Sequence, residues 1–157
     1  MTVNSSTDPN NVGSLSKIVL EYGAIMKRII DHDSKQPGFT VHGWAELAAM
    51  VNTREFERVG NFLEVMSWDD YAGMLTDWAI TSGWEFSFKR ITEVGRLVFQ
   101  ELEERSQVGD HRNVVNSMSV FGFDENDKIR HLDIYLQMKP ADIEMAREAG
   151  ARLEATA

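Results

Sequence analysis

Hydrophobic and polar positions alternate most strictly along Lys128–Gln137 (KIRHLDIYLQ), where Leu132, Ile134 and Leu136 are interleaved with His131, Asp133 and Tyr135. A period of two is how a strand with one dry face and one wet face reads. Ahead of it Asp124–Asp127 (DEND) is a polar turn, and Asn116–Phe123 (NSMSVFGF) reads as another strand. Leu97–Arg105 (LVFQELEER) is a third, closed by the turn-like Val108–His111 (VGDH). Three successive strands with short connections predict an antiparallel meander. Trp84–Ile91 (WEFSFKRI) alternates as well and predicts a strand leading into it.

Upstream the period changes to that of a helix. Ile18, Tyr22, Ile25 and Ile29 recur at three- or four-residue spacing and give a helix one apolar face, with Ser14 or Ser16 as its cap. Asp31–Val41, with Pro37-Gly38, ends it. A short second helix is predicted over Trp44–Val51, Leu47 and Met50 facing inward, and Glu55–Val59 (EFERV) reads as a short edge strand. Ser67 followed by Asp70 resembles a capping box and opens a helix over Trp68–Thr81, on which Trp68, Tyr71, Leu75 and Trp78 form an aromatic stripe. Pro140, Asp142 and Glu144 suit the first turn of a closing helix. Residues 1–13, rich in Ser, Asn and Thr, are expected to be a disordered tail. Residues 14–140 form one domain, and 141–157 a C-terminal helix and tail.

Composition narrows the function classes. The chain has 157 residues, 43% hydrophobic and 26% charged, enough for a single domain with a real core. A net charge of −9 disfavours nucleic acid or an anionic membrane as partner, since phosphate binding needs a basic surface. With no cysteine there is no disulfide, thiol nucleophile or thiolate metal site, which fits a reducing cytoplasm. The opening MTVNSSTDPNNVGS does not read as a signal peptide, and no apolar run approaches the roughly 20 residues of a membrane span. Asp31-His32-Asp33 offers ligand types, but adjacent residues at a helix end do not converge on one ion, so no metal is expected. A glycine-rich phosphate loop, a GxSxG nucleophile elbow and zinc-binding His/Glu spacing are all missing from the sequence.

IVLEYGAIM (Ile18–Met26), FERVG (Phe56–Gly60) and VFGFDENDKIRHLDIYLQ (Val120–Gln137) resemble, in that order, the first helix, the short strand and turn, and the last hairpin of nuclear transport factor 2-like proteins. That superfamily includes ketosteroid isomerases, SnoaL-like polyketide cyclases and limonene-epoxide hydrolases. The resemblance implies an α+β fold: a cone-shaped, curved antiparallel sheet with three helices from the N-terminal half on its concave face, plus a C-terminal helix. Fold does not choose among the functions it hosts.

Residue by residue, the likeness to the isomerases places Tyr22 where a tyrosine donates to the substrate oxyanion, and Glu57, three before Gly60, where their general base stands. Their second oxyanion donor, an aspartate, falls at Ser119, two before Phe121; this is a departure, though a hydroxyl still donates. Against the epoxide hydrolases, the third-strand arginine and aspartate fall near Leu102 and Glu104, losing the arginine. Their last-strand aspartate falls at Ile134, one residue from Asp133, and a one-residue slip reverses the face.

The residues read alone leave alternatives. Glu57 is a base or a solvated edge carboxylate, with Arg58 beside it as the residue that points inward instead. Among Glu101, Glu103 and Glu104, only Glu104 shares parity with Leu102 and looks inward. If the row His131, Asp133 and Tyr135 lines the cavity, Asp133 is the best general base in the chain; otherwise the row belongs to a subunit interface. Tyr71, Trp78, Ser119, Phe121 and Leu132 are candidate substrate contacts, with a core role as the alternative for the aromatic stripe. The expected function is a small, cofactor-independent enzyme acting by acid–base chemistry on an apolar cyclic or polyketide-like substrate. Glu57 or Asp133 abstracts the proton while Tyr22 holds the oxygen. The alternatives are epoxide hydrolysis and a non-catalytic ligand-binding or structural subunit. The outer face of such a sheet needs a cover, so a homodimer is expected.

Overall fold

The computed structural model describes residues 2–156, with side chains through residue 148. The sheet is built on the predicted meander. β4 (Ser82–Val94), β5 (Leu97–Val108), β6 (His111–Phe123) and β7 (Ile129–Gln137) pair antiparallel in succession. Three short strands, β1 (Val3–Ser6), β2 (Glu57–Val59) and β3 (Val65–Met66), extend it to seven in the order β1-β4-β5-β6-β7-β2-β3. β2 runs parallel to β7, so the curved sheet is mixed rather than wholly antiparallel. β2 is also internal, flanked by β7 and β3.

Helices α1 (Ser14–Asp31), α2 (Ala45–Ala48) and α3 (Trp68–Thr81) come from the N-terminal half, and α4 (Pro140–Thr156) closes the chain. The second helix is shorter than its pattern predicts: Val41–Trp44 is a tighter 3-10 turn running into α2. Val19, Ile29 and Ile30 of α1 share the core with Leu47 of α2, Leu75 and Ala79 of α3, and Ile91, Val98, Ile129 and Leu132 of the sheet. Burying each such aliphatic side chain contributes about 1.5–3 kcal/mol.

Residues 1–13 were expected to be a disordered tail, and here the structure differs. Val3–Ser6 pairs with Ile91–Val94 as β1, and Ser5 Oγ lies 3.0 Å from Thr92 Oγ1. The long free edge of β4 supplies the hydrogen-bonding template, which a polar segment satisfies as readily as an apolar one.

The caps show how far local sequence decides an element. α3 opens with a complete capping box: Ser67 Oγ accepts from Asp70 N at 3.2 Å, and Asp70 Oδ2 accepts from Ser67 N at 3.4 Å. α1 does not use Ser14 or Ser16 as its cap residue. Gly13 stands there, and Glu93 of β4 accepts from Ser16 N at 2.7 Å and Ser16 Oγ at 2.9 Å. A carboxylate at this end also complements the helix dipole. A Cβ on residue 13 would fall 2.6 Å from the Glu93 carboxylate, so glycine leaves the room this carboxylate occupies at the cap. The other end of α1 is tied to α3 by Ser34, whose Oγ donates to Ile30 O and Ala79 O, and by Lys35, whose ammonium donates to Ser82 O at 2.7 Å. Burial lowers the Lys35 pKa.

Candidate functional site

Register assigns each strand residue to a face. Leu102 lies opposite Ser117, which lies opposite Leu136; Gln100 aligns with Ser119 and Ile134, and Val98 with Phe121 and Leu132. These residues share the face that α1 and α3 cover, as the burial of Val98, Leu102, Ser117, Phe121 and Leu132 attests. Glu104, two beyond Leu102, belongs to the same face. Arg58 is level with Leu132 across the parallel β2–β7 pair and shares parity with buried Phe56, so it too turns inward.

Four ionisable or polar side chains belong to this face. Tyr22 comes from α1 and is buried, its ring edge-on to Phe121 with centroids 5.7 Å apart. Tyr71 comes from α3 and is buried against Phe56 and Trp68. Arg58 stands with its guanidinium carbon 5.0 Å from the centre of the Tyr71 ring. Glu104 is half-buried, and its Oε1 accepts from Trp84 Nε1 at 2.8 Å.

The electrostatics tie these groups together. Burial pushes the Tyr22 phenol well above its usual range; proximity to Tyr71 adds to this and Arg58 opposes it. Tyr71 is pushed up too, by burial first, with Arg58 acting against the shift and Glu104 with it. Weak hydrogen bonding of Tyr22 and of Arg58 to Tyr71 contributes to these shifts, although it misses ideal geometry. Tyr22 Oη, Arg58 Nε and Nη1, and Ser117 Oγ are all buried and bond to no protein group. Buried polar groups are nearly always paired, so these unsatisfied groups on one face make it the candidate site.

Glu57 and Asp133 lie elsewhere. Glu57 is level with His131, and Val59 with Asp133, on the outer face of the sheet. His131 joins the two carboxylates: Nε2 is 2.9 Å from Asp133 Oδ1, and Nδ1 is 3.7 Å from Glu57 Oε1. The register from Arg58–Leu132 through Val59–Asp133 runs without a bulge, so nothing returns Asp133 to the concave side. The structure therefore places Tyr22, Tyr71 and Glu104 on the concave side of the sheet and Glu57 and Asp133 on the outer one. Ser119, Phe121 and Leu132 line the concave face, with Phe121 and Leu132 buried. Trp78 is half-buried against the core. Ser117 escaped the sequence reading, although its parity with Ser119 and Phe121 carries the signal.

The concave face is lined by buried side chains of the helices and the sheet. Of two surface depressions, one of about 540 Å³ lies between Asn52, Arg96, Asp124 and Arg130, and one of about 330 Å³ between Glu103, Asn116, Gln137 and Lys139. Neither touches Tyr22, Arg58 or Glu104. Both are open and rimmed by charged groups, so the convergent buried donors are the better guide to a site. Among the described residues no set of three His, Asp or Glu gathers as cation ligands, and no helix is long and apolar enough to cross a membrane.

No family model and no curated protein sequence matches the chain. Solved structures do. A steroid delta-isomerase from Pseudomonas aeruginosa superposes with a TM-score of 0.59 at 13% identity, over 90% of this chain and 93% of that one. An LEH-like epoxide hydrolase from M. tuberculosis gives 0.57 at 14% identity, over 77% and 84%. SalBIII, an epoxide hydrolase/cyclase-like enzyme of pyran ring formation in salinomycin, gives 0.58 at 14%, over 79% and 91%. The chain has the nuclear transport factor 2-like fold.

Proposed function

We propose that the chain is a small enzyme that works without a cofactor, doing isomerisation or cyclisation by acid–base chemistry on an apolar cyclic or polyketide-like substrate. The observation that carries this reading is the gathering of Tyr22, Tyr71 and Arg58 on the concave face, to which the strand register also assigns Glu104, near enough to influence Tyr71. Glu104 takes a proton from carbon beside a carbonyl. The electron pair moves onto the carbonyl oxygen, and the Tyr22 hydroxyl donates to the enolate that forms. The protonated Glu104 then returns the proton to a different carbon, or the enolate carbon closes a ring. Donors aimed at the developing charge in a water-poor setting are the larger contribution, and a positioned base adds about 10²–10⁴-fold. A ligand reaches Tyr22 by displacing side chains of the concave face. The isomerase and cyclase among the structural neighbours support this reading as analogy.

The test is proton exchange into a bound cyclic ketone, followed for the native chain and for Glu104→Gln and Tyr22→Phe. Loss of exchange in Glu104→Gln with the fold retained is expected; unchanged exchange removes the proposal. Epoxide hydrolysis is the second reading, supported by the likeness to the mycobacterial structure, and requires Glu104 to activate water without an arginine at Leu102. A second copy of the chain covers the outer face in this proposal. Its support is the exposed apolar surface there, with Tyr135 58% and Leu97 43% accessible.

A further inference from the structure

Arg58 is an expensive residue to place where it stands. Its side chain is only 13% exposed, and its Nε and Nη1 form no hydrogen bond. A charge taken out of water costs several kcal/mol unless a counter-charge and hydrogen bonds replace the lost hydration. The carboxylate facing it, Glu64 at 3.8 Å, is too distant to bond and is itself 39% exposed. Glu64 sits beyond the turn at Gly60–Leu63, where Gly60 N bonds to Glu64 O at 2.8 Å and Leu63 takes a positive φ of 65°. On its other side Arg58 has the face of the Tyr71 ring, which attracts a cation but, with its phenol protonated, supplies no counter-charge.

We infer that Arg58 is an anion-recognising residue, and that the substrate bears a carboxylate on an apolar body. This deepens, and rests on, the concave-face site proposed above. The guanidinium supplies the charge and two nitrogens whose N–H groups have no hydrogen-bond acceptor. Tyr22 Oη and Ser117 Oγ are unpartnered donors on the same face, and Phe121, Leu102 and Leu132 supply apolar contact. A monoanion fits better than a phosphate. One guanidinium with Glu64 nearby, and Glu104 close enough to influence Tyr71, gives too little positive potential for a dianion. Glu64 competes with the ligand for Arg58, so the Gly60–Glu64 turn tunes entry.

Calorimetric titration of the full chain with naphthoate, and with acetonaphthone as its neutral methyl ketone, tests this. Naphthoate is expected to bind at least tenfold tighter. Arg58→Met is expected to abolish that preference, bringing the two affinities within about twofold of each other. Glu64→Gln is expected to tighten naphthoate binding severalfold, and it decides the matter if Arg58→Met does not fold. Equal affinity for the two probes, no binding of naphthoate, a preference surviving Arg58→Met, or weaker naphthoate binding in Glu64→Gln overturns the inference. These results are independent of exchange by Glu104→Gln. A carboxylate preference without catalysis would remove the enzyme reading alone, and catalysis without the preference would remove only the role of Arg58.

Discussion

The guanidinium carbon of Arg58 lies 5.0 Å from the centre of the Tyr71 ring, a cation–π contact that adds to the loose ion pair with Glu64 at 3.8 Å. Two of its nitrogens remain buried without acceptors. Arg58→Met keeps most of the side-chain volume and removes the desolvated charge, so it is expected to stabilise the ligand-free chain by about 1 kcal/mol. Urea unfolding with an unchanged m-value measures this; a lower midpoint would show that the ring contact outweighs desolvation.

Tyr22 and Tyr71 are held protonated beyond the usual phenol range, by burial above all. The unfolded chain therefore releases these protons first as pH rises past about 10, and stability falls with further increase. Phenolate absorbance should show a late step that coincides with loss of helical circular dichroism. In the Tyr22→Phe, Tyr71→Phe double variant that step disappears; its persistence would assign it to another tyrosine.

Ser67→Ala removes the oxygen that accepts from Asp70 N and opens the capping box of α3. A cost of about 1 kcal/mol is expected. Because α3 carries Tyr71, the same variant should also weaken any ligand that depends on that ring. Thermal unfolding and calorimetry read the two effects separately.

Asp124 organises the β6–β7 turn, where its Oδ1 accepts from Asn126 N at 2.9 Å and Lys128 N at 3.0 Å. The Lys128 amide is the main cause of its lowered pKa; burial, the next largest influence, opposes it, and Asn52, Asn126 and Arg130 add to the lowering. A depressed folded-state pKa gives stability that is complete above the ordinary aspartate value and lost as pH falls through the folded one. Asp124→Asn is expected to be less stable at neutral pH and to lose less on acidification below pH about 4. Parallel acid-unfolding curves for the two proteins would contradict this.

The outer-face row is the place to test association. Tyr135 is 58% exposed beside Asp133 and His131. A homodimer is expected by light scattering at micromolar concentration, and Tyr135→Glu is expected to give monomers. A native chain that is monomeric at that concentration would sink the assembly proposed here.

What the sequence reveals follows from how local each cause is. α3 and the meander are legible because their periodicity, caps and turn residues lie within the segments themselves. The cap on α1 is not, because its acceptor, Glu93, comes from a strand 77 positions away. β1 carries no alternation, since VNSS becomes a strand only by pairing with β4. The choice between Glu57 and Arg58 is a matter of parity: Phe56 is buried, so Arg58 shares its side and Glu57 does not. Tyr22 and Glu104 follow the faces of α1 and β5, whereas their approach to Arg58 and Tyr71 depends on how β2 is docked.

The pairing of Val3–Ser6 with Ile91–Val94 has a practical corollary. A chain shortened to begin at Ser14 would leave that stretch of β4 with a bare ladder of amides and carbonyls, free to zip onto another molecule. Shortened preparations should clump on concentration while the full-length chain stays clear, so the polar opening segment serves as a guard rail against self-adhesion.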